Sequence, residues 1–291
     1  MNPSTLSNDT KLNPPGNILN SEIEDSRVLD QARLTVYRFL SLVATDPQSE
    51  RWPQVLDLDF QELVEAAIEV LQDDSLACPD VLAPGEVSPE TLGLAPLTSY
   101  MQMPRDTLIK EYDHIFGLLV SGECPPYETE YCPQTFSVYR SHSMADIAGF
   151  YRAFGLEPSR KSPERHDHIV LELEFMAWLI AKTLYALEEG EEDNANLCRE
   201  AQVNFFRDHF AWWTPAFALA LRRKADGIAD ERELDSPPKS YQGAFGAFLT
   251  AFVPAERGIL GIAPPTALIA PARAKEEDCD TCPLSANQNS E

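Results

Sequence analysis

Two adjacent prolines, Pro125-Pro126, stand between stretches whose apolar residues recur at helical spacing, and no other feature constrains the chain as strongly. Each pyrrolidine ring fixes φ and removes a backbone donor, so a helix on either side must stop and the chain must turn a rigid corner. Upstream, Glu111-Tyr112-Asp113-His114-Ile115-Phe116-Gly117 closes one helical pattern. The corner itself is Gly122-Glu123-Cys124-Pro125-Pro126-Tyr127-Glu128, which carries an aromatic ring and a carboxylate. Downstream, His166-Asp167-His168 opens a long pattern in which Ile169, Leu173, Met176, Ile180 and Leu184 share one face, joined by Phe175, Leu179 and Leu187.

The same spacing runs along most of the chain, and no hairpin-bounded alternation suggests a strand. Helices are expected over Ser26–Ala44, Asp59–Gln72, a short piece from Ser88-Pro89 to Met101, Thr107–Leu119, Thr135–Phe154, a segment opened by Ser162-Pro163-Glu164, Leu197–Trp213, Pro215–Lys224 and Tyr241–Phe252. The fold class is therefore all-α, a single-domain multi-helix bundle. Residues 1–25, polar with Pro14-Pro15-Gly16, read as a disordered leader and 26–253 as the helical domain. Residues 254–291 read as a Pro/Ala-rich, then polar, tail that holds Cys279-Asp280-Thr281-Cys282.

Charge narrows the partners. With 47 acidic and 23 basic residues the formal net charge is −24, which argues against nucleic acid and favours basic partners. No apolar run of membrane-spanning length and no secretory signal is visible, so no stable membrane insertion and a cytoplasmic location are expected. Six scattered cysteines do not form a disulfide framework.

Two groups of residues could carry function. Pro125, Pro126, Tyr127 and Glu128 are either a structural corner that buries Tyr127 or a rigid recognition lip with little ordering cost on binding. Such a lip suits a peptide that pairs arginine with apolar residues. Asp167, His168 and Glu172 are either helix-start chemistry, with Asp167 as the cap and His168 exposed, or a functional pair. His168 and Glu172 lie one turn apart on a shared face. The helix N-terminus and the neighbouring carboxylates push His168 in opposite directions. A helical metalloenzyme built on Glu111, His114, His168 and Glu172 is an alternative, although a second Glu-x-x-His is absent. No catalytic residue, cofactor or metal ligand is assigned. Cys279 and Cys282 form a lone CxxC with no second pair for zinc. Trp212-Trp213 reads as core plus rim.

The ordered run of helix end, Pro-Pro-Tyr-Glu turn and Asp-His-Ile-x-x-Glu-Leu-x-Phe-Met helix start resembles the molybdoenzyme maturation chaperones of the TorD/DmsD/NarJ type. In that family a proline stands closer to the Asp than Pro163 does here. The resemblance implies an all-helical chaperone that is not an enzyme. Its partner would be the molybdopterin-containing catalytic subunit of the dimethyl-sulfoxide-reductase class, with the subunit's twin-arginine leader peptide. It further implies peptide binding by Pro125, Pro126, Tyr127, Glu128, Asp167, His168 and Glu172, with Glu128 and Glu130 as acceptors for arginine. Homodimer formation is left open. A structural adaptor that binds folded client is the remaining reading.

Overall fold

The computed structural model describes residues 15–73, 82–117, 122–132, 137–157, 159, 164–229, 233–234 and 236–268. Within them the chain forms α1 (Pro15–Val43), α2 (Leu58–Leu71), α3 (Ala95–Met101), α4 (Arg105–Phe116), α5 (Ser137–Ala153), α6 (Ile169–Glu188), α7 (Glu192–Phe205), α8 (Thr214–Asp226) and α9 (Tyr241–Leu260). Short 3₁₀ turns occupy Trp52–Leu56, Pro89–Thr91 and Glu128–Tyr131. No β-strand occurs among the described residues, so the all-α expectation holds. No described helix is long and apolar enough to cross a membrane.

Helix α6 is the axis. The stripe read from the sequence faces inward, with Ile169, Leu173, Met176, Leu179 and Ile180 buried. Helix α1 packs along one side of it and α7 along the other, while α8 and α9 form a second closely packed pair. Aromatic rings fill the space between these layers: Tyr37 meets Phe252 edge-on at 5.0 Å and Phe175 meets Phe205 at 4.7 Å. The contact between α8 and α9 is close enough to require glycine. A Cβ on Gly243 would lie 2.0 Å from Asp226 Oδ1, the oxygen that accepts from Ser240 Oγ and anchors the cap of α9.

Several boundaries differ from those read in the sequence. Helix α1 begins at Pro15 rather than Ser26. Ser88 caps only a 3₁₀ turn, and the helix that follows starts at Ala95. Helix α9 continues past Phe252 through Pro254 to Leu260. A proline inside a helix strands the carbonyl four residues back. Here that carbonyl, of Thr250, accepts from Val87 N at 3.1 Å, so an outside donor replaces the missing one and the helix continues. Helix α6 starts at Ile169, and residues 164–168 approach it as a turn. Ser162, Pro163, Thr135, Cys78, Cys279 and Cys282 lie outside the described residues.

Candidate functional site

The proline corner and the start of α6 are joined through the main chain. Tyr127 and His168 form an isolated antiparallel bridge, in which Glu128 N donates to Asp167 O at 2.9 Å and Ile169 N donates to Pro126 O at 3.0 Å. Pro126 contributes only its carbonyl, the one backbone group a proline can offer. Pro125 and Pro126 are buried, and Tyr127 is half-buried with its ring 5.0 Å from the His168 imidazole. The corner is held from below by Tyr131, whose ring packs 5.3 Å from that of Trp213.

Asp167 is fully buried and caps the Glu128–Tyr131 turn rather than α6. It accepts from Thr129 N at 3.1 Å and Thr129 Oγ1 at 2.7 Å, and Arg165 donates to both of its oxygens at 3.0 and 2.8 Å. The cap of α6 is His168, which is 6% exposed rather than a surface turn residue. Its Nδ1 accepts from Val170 N at 3.2 Å, which leaves the proton on Nε2. Burial pushes this imidazole below its ordinary value against the pull of Glu164 and Asp167, so the neutral form prevails.

Glu128 points inward. Its carboxylate accepts from Ser143 Oγ at 3.1 Å and Trp212 Nε1 at 3.2 Å, and it faces His209 Nδ1 at 3.2 Å. Burial pushes its carboxyl up while His209 pulls it down. Glu172, also fully buried, accepts from Trp213 Nε1 at 3.0 Å and stands beside Glu128. Burial first, and the Glu128 charge second, drive its carboxyl well above the ordinary range. Both carboxyls are pushed up, Glu172 the further, so Glu172 is the member of the pair that keeps a proton, and its Oε1 lies buried without a hydrogen-bond partner.

The outer rim is cationic and aromatic. The Arg165 guanidinium stacks over the Tyr127 ring at 4.2 Å and bridges to Glu130 at 3.2 Å, while Arg140 holds the other Glu130 oxygen at 3.0 Å. Tyr127 OH donates to Glu164 at 3.3 Å. Burial and that carboxylate push the phenol up to about 12, so it stays a neutral donor. Beyond this rim, an apolar cavity of about 190 Å³ opens between the end of α5 and α6, lined by Tyr151, Leu156, Glu157, Leu171, Glu174, Phe175 and Trp178. Tyr151 ties it to the site by donating to His166 O at 2.9 Å.

All seven residues singled out from the sequence therefore meet around one corner. All but Tyr127 are buried, and the side-chain hydrogen bonds of Glu128, Asp167, His168 and Glu172 are made within the protein. Sequence reasoning missed Thr129, Ser143, Arg165 and His209. Only Arg165, next to the His-Asp-His run, carried a local signal. Trp212 and Trp213 fall on rim and core, and both donate to the buried carboxylates. The four groups of the alternative metal site do not converge. Glu111 accepts from Gln242 N at 2.7 Å, His114 is exposed and Glu172 faces Trp213. Among the described residues no three His, Cys, Asp or Glu side chains form a metal-ligand cluster.

Residues 86–219, which contain the whole site, match the family model for the nitrate reductase delta subunit. The selenate reductase assembly chaperone protein of Thauera selenatis is 30% identical over 122 residues, 42% of this chain and 55% of that protein. The perchlorate reductase assembly chaperone protein of Dechloromonas aromatica is 30% identical over 141 residues, 45% of this chain and 60% of that protein. The chaperone protein TorD of Photobacterium profundum is 28% identical over 101 residues, 35% of this chain and 45% of that protein. The chain thus spans about half the length of the curated relatives it matches. No solved structure matches it. The corner, the α6 start and helices α3 to α7 lie inside the matched segment, so over residues 86–219, somewhat under half of the chain, this protein is similar to the NarJ/TorD family, that of the nitrate reductase delta subunit.

Proposed function

We propose that this protein is an assembly chaperone for a molybdopterin-containing oxidoreductase, acting by binding rather than catalysis. It takes the apo-form of the catalytic subunit by its basic, twin-arginine leader and holds it in the cytoplasm while the cofactor is inserted, which delays export or membrane attachment. The observation that carries this reading is the main-chain pairing of Tyr127 with His168. It fixes an aromatic face and the Glu130 carboxylate on one rim, over the buried Asp167 carboxylate and beside the apolar cavity along α6. A leader that joins arginines to an apolar stretch has both chemistries, and a preformed site lowers the ordering cost of binding. The acidic surface raises the encounter rate with a basic segment. The assembly roles in the names of the relatives support the same reading.

Calorimetric titration with a synthetic twin-arginine leader tests it. Tyr127→Leu and Glu130→Gln, both at the rim and outside the buried network, should each weaken binding about five- to tenfold, the loss of one cation–π or charge-assisted contact. Unchanged affinity in both variants removes the site, and no binding of the peptide to the parent protein removes the leader reading and favours an adaptor for folded client.

A further inference from the structure

The rim already holds an arginine, and it is the protein's own. Arg165 stacks on Tyr127 at 4.2 Å, donates to both oxygens of Asp167, reaches Glu130 at 3.2 Å and donates to Thr129 Oγ1 at 2.8 Å. One planar fork thus uses an aromatic face, two carboxylates and a hydroxyl, a set that an ammonium group cannot satisfy at once. One further observation separates Arg165 from a purely structural arginine. Its side chain is 34% exposed, whereas the arginines paired with Glu256 and Glu86 are 4% and 0% exposed. Asp167 beneath it is as buried as Glu256 and Glu86 are, so the site cannot stand empty without leaving a charge uncompensated.

We propose that Arg165 is a displaceable internal ligand: the Tyr127–Thr129–Glu130–Asp167 rim is a guanidinium site that the free chain fills with its own side chain and that an arginine of the partner takes over. The exchange replaces one guanidinium by another, so Asp167 stays paired throughout. It selects arginine over lysine, because only the former restores every contact. Internal competition also keeps the affinity for any arginine-bearing segment below what the rim alone would provide. The identity of the incoming arginine rests on the leader reading above; the guanidinium site does not.

Arg165→Ala tests the two separately. The variant should melt below the parent protein and be restored by millimolar methylguanidinium but not by methylammonium, with the parent unaffected by either. It should also bind a twin-arginine peptide about tenfold more tightly than the parent, the equivalent of one charge-assisted bond no longer broken, and a twin-lysine peptide no better. A folded Arg165→Ala that ignores methylguanidinium, or binds the peptide more weakly than the parent, overturns the proposal. If Arg165→Ala does not fold, Arg165→Lys keeps a cation over Asp167 without the fork; tighter peptide binding than the parent supports the proposal, and parental affinity overturns it. Rescue by methylguanidinium with no peptide binding by any variant upholds the guanidinium site and removes the leader reading.

Discussion

The end of α9 and the start of α6 both bury carboxylates, but they treat them differently. At α9, neighbouring residues point to opposite sides and each finds a partner far away in the chain. Glu256 receives a forked pair from Arg33 on α1, and Arg257 pairs with both oxygens of Glu86. Asp30 is shared between Arg33 at 2.9 Å and Arg199 at 3.9 Å. Charges there are matched, and the result is a clamp that holds α1, α9 and the 82–87 segment together. At α6 the carboxylates of Glu128, Asp167 and Glu172 are buried, with Arg165 as the one guanidinium among the described residues that reaches any of them, and His168 is neutral. A surplus of buried acid must be relieved by a proton or by a cation that can be exchanged. Matched charge builds a scaffold, whereas unmatched charge leaves chemistry available.

Breaking the matched region should have the larger effect. Arg257→Ala strands Glu86 in the interior and should cost about 3–5 kcal/mol in urea denaturation, while replacing both partners by apolar residues of similar volume should recover most of that. If the single variant lost as little as a surface substitution does, the clamp would not be the scaffold described here.

Glu172→Gln sharpens the other side of the comparison. Because the folded-state value of Glu172 lies above its ordinary 4.5, the folded chain keeps a proton that the unfolded chain releases. The stability this proton brings is complete below pH 4.5 and lost as pH rises through the folded value. Glutamine keeps a donor toward Glu128 and an acceptor for Trp213 without ionising. The variant should therefore show a flatter stability profile above that pH and gain about 1–2 kcal/mol at pH 8. Parallel profiles for the two proteins would mean that Glu172 is not the acid of the pair.

The smallest effect is expected at Arg51, which meets Glu174 at 2.5 Å with side chains 52% and 32% exposed. Despite the short distance, Arg51→Ala should change stability by less than about 1 kcal/mol, since solvent and salt screen an exposed pair. A loss as large as that of Arg257→Ala would show that distance, not burial, sets the difference between the two regions.

Much of this was legible in the sequence for a simple reason: it depends on residues close together in the chain. The inward stripe of α6 from Ile169 to Ile180 follows from helical spacing, and the corner at Pro125-Pro126 follows from ring geometry. The end of α9 was not legible, because Pro254 is tolerated only through Val87, a donor the local pattern does not contain. Nor was the α6 cap: Asp167 is the better cap by residue type, yet it is turned toward Thr129 and the cap is left to His168. His209 carried no signal at all, lying 81 residues from Glu128.

By itself, then, the sequence determined a helical chain, a rigid turn in its middle and an acidic, aromatic group of residues on either side of that turn. Periodicity and proline geometry are local properties and survive without knowledge of the fold. Only the tertiary structure decided which carboxylates lie in the interior, which one keeps a proton and which arginine stands on Tyr127. Those outcomes depend on desolvation and on partners brought together from distant parts of the chain, and neither is encoded at any single position.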